Sequence, residues 1–182
     1  MIPNTVILAP ASFEELRQCL KRAIFDLDGI ACVRYPKGGE STVKVGGAVG
    51  AALSPARDFA YSGKHGTMLA VTYGRISAEL AAACEEIGAD FLRLVRISPL
   101  PESAVDIACG YDRVVFFEEG ILNGSASEGM RAALSGRGFR GGFAAVGADD
   151  RFVPAATVEE QLEMFGLDRE SMKNRLKQSM KG

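Results

Sequence analysis

Histidine is nearly missing from this chain of 182 residues, which holds a single one, His65, set between Lys64 and Gly66 in what reads as a tight turn. That scarcity removes Ser-His-Asp, Cys-His and histidine-rich metal chemistry from the chain acting alone. Cysteine is sparse too. Cys19, Cys32, Cys84 and Cys109 make no Cys-x-x-Cys pair and each stands in an apolar setting, so they signal neither a zinc site nor a disulfide framework and suit a reducing cytosol. There is no long basic run, and the net charge is -2, which argues against a nucleic-acid footprint or a polybasic membrane surface. No stretch approaches the roughly 18 consecutive apolar residues of a membrane span, and the N-terminus lacks the basic start and apolar core of a signal peptide. The expectation is a cytoplasmic protein whose partners are small molecules or other proteins, with no nucleic acid and no membrane.

What is present is the material of a globular domain. The chain is 47% hydrophobic and 24% charged, enough for one well-packed domain with a small appendage. Thr5 to Ala9 reads as a strand. Ser12 with Glu15 offers a capping box, and Leu16, Cys19, Leu20, Ala23 and Ile24 follow at helical spacing as one apolar stripe. Ile30 to Arg34 supplies a second strand. This βαβ unit, residues 1–35, is too small to cover both faces of a sheet and looks like the tail end of a larger domain. Residues 36–55, rich in Gly, Ser and Pro, read as a linker.

A compact domain is expected over residues 56–182. Thr67 to Tyr73 is a continuous apolar run, as in a strand covered on both sides. Ile76 to Ile87 reads as a helix capped by Gly88, Ala89 to Val95 as a strand, Glu102 to Cys109 as a helix stopped by Gly110, and Arg113 to Phe117 as another strand. A helix over Asn123 to Leu134 and a strand over Gly142 to Gly147 follow. Thr157 with Glu160 forms a second capping box, Gly166 closes that helix, and Asp168 caps a last helix carrying Met172, Leu176 and Met180. The fold class is α/β: a three-layer, mainly parallel sheet with helices on both faces, preceded by a partial βαβ unit.

In such sheets ligands gather beyond the carboxyl ends of the strands. There, Val33-Arg34-Tyr35-Pro36-Lys37-Gly38-Gly39 combines a guanidinium fork, an ammonium and a backbone without side chains to keep an oxyanion away. The same spacing also suits a strand end followed by a turn. Arg96 and the pair Glu118-Glu119 are weaker candidates, the pair because adjacent side chains leaving a strand point apart. The Gly124-Ser125-Ala126-Ser127 run offers either a phosphate cradle or an ordinary helix cap.

The segments "APASFEELRQCL", "VRYPKGG", "SPLP" at Ser98 to Pro101, "VVFFEEG" at Val114 to Gly120 and "FVPAATVEEQLEMFGLDRESM" at Phe152 to Met172 stand in an order that resembles the final third of the 1-deoxy-D-xylulose-5-phosphate synthase family, in the transketolase superfamily. The resemblance implies a transketolase C-terminal-like domain at 56–182 behind a remnant of the pyrimidine-binding domain at 1–35. It implies a complete enzyme that uses thiamine diphosphate and Mg2+ to join pyruvate to glyceraldehyde 3-phosphate, with the cofactor held elsewhere and none on this chain. On that basis the chain alone is inactive. Its partners are the missing N-terminal and pyrimidine-binding domains and a second copy in a homodimer. Arg34, with Tyr35 and Lys37, matches the stretch that binds the acceptor phosphate. The family places a further arginine where this chain has Val95; Arg96 lies one residue on, which on a strand reverses the side chain's direction. The paired glycines usual in the family are replaced by "ILNGSASEG". Two other readings stay open: a non-catalytic assembly module or degenerate paralogue, and an unrelated flavodoxin-like domain with Gly124 to Ser127 as its phosphate site.

Overall fold

The structure is a computed structural model that describes residues 2–36, 38–64 and 66–181. Lys37 and His65 lie outside the described residues. Strands β1 (Thr5–Leu8), β2 (Ile30–Val33) and β6 (Arg96–Ser98) form a small sheet in the order β2-β1-β6. A larger one follows the order β3-β5-β4-β7-β8, built from β3 (Phe59–Ser62), β4 (Met68–Tyr73), β5 (Asp90–Leu94), β7 (Arg113–Ile121) and β8 (Gly142–Ala148). Its pairings are parallel except that of β3, which runs antiparallel to β5 along one edge.

Alternation along the strands assigns the two faces of the large sheet. Leu69, Val71, Leu92, Leu94, Val114 and Phe116 pack against Ala104, Val105 and Ala108 of α4 (Glu102–Cys109) and Met130 and Leu134 of α5 (Ala126–Gly136). The intervening Met68, Ala70, Phe91, Val115 and Phe117 face Leu80, Ala81 and Cys84 of α3 (Ser77–Ile87) and Leu167, Met172 and Leu176 around α7 (Arg169–Lys181). Both sides of β4 are therefore buried, which is why its sequence is an unbroken apolar run. Gly88 closes α3 in a left-handed conformation, φ 70°. Thr157 and Glu160 form the reciprocal capping box of α6 (Val158–Met164), and the Asp168 carboxylate accepts from Ser171 N at the start of α7.

Several local expectations change. Helix α1 (Phe13–Phe25) buries Cys19 but leaves Leu20, Ile24 and Phe25 exposed, so its apolar stripe is only partly covered. The Ser12 cap forms, yet Glu15 does not close the box. Its carboxylate instead meets Arg93 of β5 at 2.6 Å, with the two side chains 1% and 0% exposed, and also accepts from Ala11 N and Ala56 N. Both carboxylate oxygens are thereby directed to Arg93, Ala11 N and Ala56 N and not to the Ser12 backbone. Part of the expected linker is folded: α2 (Gly47–Ala51) lays Val49 and the adjoining Ala52 against the α3 side of the core. Strands β3 and β6 were not expected. Each exists through a partner distant in sequence, β5 for the first and β1 for the second.

The same distant pairing joins the two sheets. Ala9 N donates to the Val95 carbonyl at 2.7 Å, and Val95 packs with Leu8 and Cys19. Arg22 of α1 and Arg96 of β6 share the Asp58 carboxylate, at 2.8 and 3.0 Å.

Candidate functional site

The carboxyl ends of β1, β2, β4 and β7 converge, and the side chains that leave them meet one another. Arg34 follows β2 directly, its backbone fixed by a 2.8 Å hydrogen bond to the Leu8 carbonyl. One Nη of its guanidinium donates to the Tyr73 hydroxyl at 2.9 Å, and the other to the main-chain carbonyl of Glu119. The guanidinium carbon lies 5.3 Å from the Tyr73 ring centroid, within cation–π range.

Tyr73 is held from its other side. Its hydroxyl donates at 3.0 Å to Glu118, which is fully buried and accepts a second bond, at 3.2 Å, from Ser127 N in the first turn of α5. A carboxylate only accepts, so the phenol O–H points to it as donor and the phenol oxygen's lone pairs are left to Arg34. Burial, reinforced by the neighbouring carboxylate, pushes the Tyr73 phenol well above its ordinary range, so it remains a donor at any working pH. The chain Tyr73, Glu118 and α5 thus ties the guanidinium that follows the small sheet to the large one.

Glu119 points the other way and pairs with Arg75 through both carboxylate oxygens. Arg75 stands in the 3-10 turn Gly74–Ile76 that follows β4. Arg34, Tyr35, Pro36, Tyr73, Arg75 and Glu119 line a cleft of about 160 Å³. A smaller recess of about 40 Å³ adjoins it, where Tyr35, Pro36 and Arg75 meet Gly38, Gly39 and the start of α1. Sequence reasoning missed Arg75. Its signal was there, since Tyr73-Gly74-Arg75 repeats the strand-end-then-arginine pattern of Val33-Arg34.

Arg34, Tyr35 and Glu118 are thereby brought to one region, with Tyr35 on the cleft and Glu118 behind it. Arg96 is not: its fork holds Asp58 and the Pro99 carbonyl. Val95 is buried core. In the Gly124 to Ser127 loop two backbone donors are engaged by the protein's own carboxylates, Gly124 N by Glu128 and Ser127 N by Glu118. Among the described residues no helix is long and apolar enough to cross a membrane.

The fold is shared with part of a solved transketolase. A solved split-gene transketolase, an inactive β4 tetramer, matches with a TM-score of 0.75 at 18% identity, over 98% of this chain and 58% of that one. In sequence the chain is related to 1-deoxy-D-xylulose-5-phosphate synthase, and it resembles the C-terminal part of that enzyme. It is 32% identical over 179 residues to the synthase of Thioalkalivibrio sulfidiphilus, covering 94% of this chain and 26% of that protein. To the Escherichia coli synthase it is 29% identical over 182 residues, covering 97% and 28%. The chain thus spans about a quarter of the length of the curated relatives it matches. No family model matches it.

Proposed function

We propose that this chain is the acceptor-binding and assembly portion of a thiamine-diphosphate-dependent transferase of the 1-deoxy-D-xylulose-5-phosphate synthase type, joining pyruvate to glyceraldehyde 3-phosphate, and that it is inactive alone. The observation that carries the reading is the cleft at the strand ends, where Arg34 is held by Tyr73 and by the Glu119 carbonyl beside Tyr35. A guanidinium already oriented by the protein loses little freedom on taking an oxyanion, which favours a phosphate over an uncharged aldehyde. Lys37 stands two residues from Tyr35 in the chain and completes the proposed phosphate-binding set. When bound to the complete enzyme, thiamine diphosphate supplies the carbanion chemistry. Among the described residues no three His, Cys, Asp or Glu side chains come together. The cofactor is assigned to the N-terminal and pyrimidine-binding domains, which this reading takes as partners together with a second copy of the chain in a cytoplasmic homodimer.

The test is reconstitution with those domains and separate measurement of KM for the two substrates. Arg34→Ala raises the KM for glyceraldehyde 3-phosphate by about 10- to 100-fold, the worth of a charge-assisted hydrogen bond at about 1.5–3 kcal/mol, and leaves the KM for pyruvate nearly unchanged. Equal effects on both substrates refute the role. The burial of Val95 where the family has an arginine favours a second reading, a non-catalytic assembly module, and absence of thiamine-dependent turnover after reconstitution would select it.

A further inference from the structure

We infer that Arg75 is the second arginine of the phosphate cleft, and that Glu119 holds it in reserve. The inference rests on the reading of this cleft as an acceptor-phosphate site and adds a residue to it.

One residue joins both arginines, by different atoms. The Glu119 carbonyl accepts from Arg34, while the Glu119 carboxylate pairs with Arg75. Both guanidinium groups line the same cleft, and each fork carries more N–H donors than these contacts use. Arg75 also borders the adjoining recess formed by Tyr35, Pro36, Gly38 and Gly39, so it spans the whole segment that follows β2. The two other places that could provide a second arginine do not: position 95 is a buried valine and Arg96 is engaged by Asp58.

Glu119 accordingly competes with the ligand. With the cleft empty it neutralises Arg75, whose side chain is 20% exposed against 35% for Glu119, and an arriving phosphate dianion competes with that carboxylate for the guanidinium's charge. A singly charged or neutral ligand offers too little in exchange. Arg75 therefore selects for a phosphomonoester dianion, and Glu119 sets how tightly the site holds it.

The experiment titrates inorganic phosphate into the full chain at constant ionic strength and follows the arginine Nε–H resonances, with Arg34→Ala, Arg75→Ala and Glu119→Gln variants alongside. The expected results are saturable binding by the unaltered chain, a loss of about tenfold or more in Arg75→Ala, and a gain of about two- to fivefold in Glu119→Gln, the size of a released, partly exposed ion pair. The gain cannot arise from misfolding. Arg75→Ala binding as tightly as the unaltered chain, or Glu119→Gln binding no tighter, overturns the inference; if Arg34→Ala still weakens binding, the phosphate reading itself survives. Absence of saturable binding by the unaltered chain overturns both.

Discussion

Glu15→Gln is the most demanding test of how this fold is held together, because it removes one charge and almost no volume from a fully buried site. In the native protein Oε2 takes the Arg93 guanidinium at 2.6 Å and Ala11 N at 2.8 Å, while Oε1 takes Ala56 N at 2.9 Å. A glutamine side chain has one accepting oxygen. In one orientation its amide N–H faces the Ala56 N–H; in the other it faces both the Arg93 and the Ala11 donors. An unsatisfied buried donor costs about 1–3 kcal/mol. In either orientation Arg93, 0% exposed, loses its counter-charge and has only neutral acceptors, among them the Ala52 and Ser54 carbonyls at 3.2 and 2.9 Å, to balance a full positive charge. Breaking a buried pair from one side typically costs about 3–5 kcal/mol, and that is the loss expected here. For a chain of this size it lowers the thermal midpoint by about 6–20 °C. Urea denaturation with Glu15→Gln, Arg93→Met and the double variant measures both the loss and the coupling. A single-variant loss below about 1 kcal/mol would mean that water reaches the pair, and the account of α1 clasped to β5 would fail.

Other outcomes follow from the same geometry. Partial burial raises the Asp58 carboxyl, but the Arg96 and Arg22 guanidinium groups outweigh it and hold the group below its ordinary value of 3.8; its contribution is thus complete above that value and lost as pH falls through the lower folded one. The stability difference between the natural chain and Asp58→Asn should therefore shrink on acidification below about pH 4, and a constant difference would refute the linkage. Thr157→Ala removes the side-chain half of the α6 capping box, the hydroxyl that accepts from Glu160 N, and should cost about 0.5–2 kcal/mol, seen as faster hydrogen exchange at Val158 to Glu160, while Thr157→Ser should retain most of the protection. In Gly141→Ala the new Cβ would stand 2.4 Å from the Asp112 carbonyl, so the entry to β8 must shift; an overpacking loss of about 1–3 kcal/mol is expected, and an unchanged midpoint would contradict the register of β7 and β8.

The elements that could be read from sequence are those whose signals are local. The apolar run of β4, the capping box at Thr157 and Glu160, and the helix from Glu102 to the stop at Gly110 each declare themselves within a few residues. β3 and β6 do not, because a strand of three or four residues with a half-buried pattern is defined by the edge it joins. The stripe on α1 was legible as amphipathic, but periodicity says which residues share a face and not whether anything covers it. The site divides the same way. Arg34 stood out because an arginine, a proline and two glycines crowd one strand end. Arg75 and Tyr73 enter through β4, and Glu118 through β7, and only parallel pairing of those strands brings them to Arg34. Arg93 is an anomaly visible in Asp-Phe-Leu-Arg-Leu, yet its partner lies 78 positions away.

The placement of α7 bears on how the chain comes off the ribosome. Met172 and Leu176 cover the same face of the sheet as Val115 and Phe117, and the Ser179 carbonyl accepts from Arg113 at the start of β7. All the strands are made before these residues exist. At about 5–20 residues per second, the finished sheet waits seconds with α3 on that face and the part beneath α7 uncovered. A nascent chain with apolar strand residues left half-covered is what holdase chaperones bind, so truncation before Met172 should turn a brief chaperone client into a permanent one.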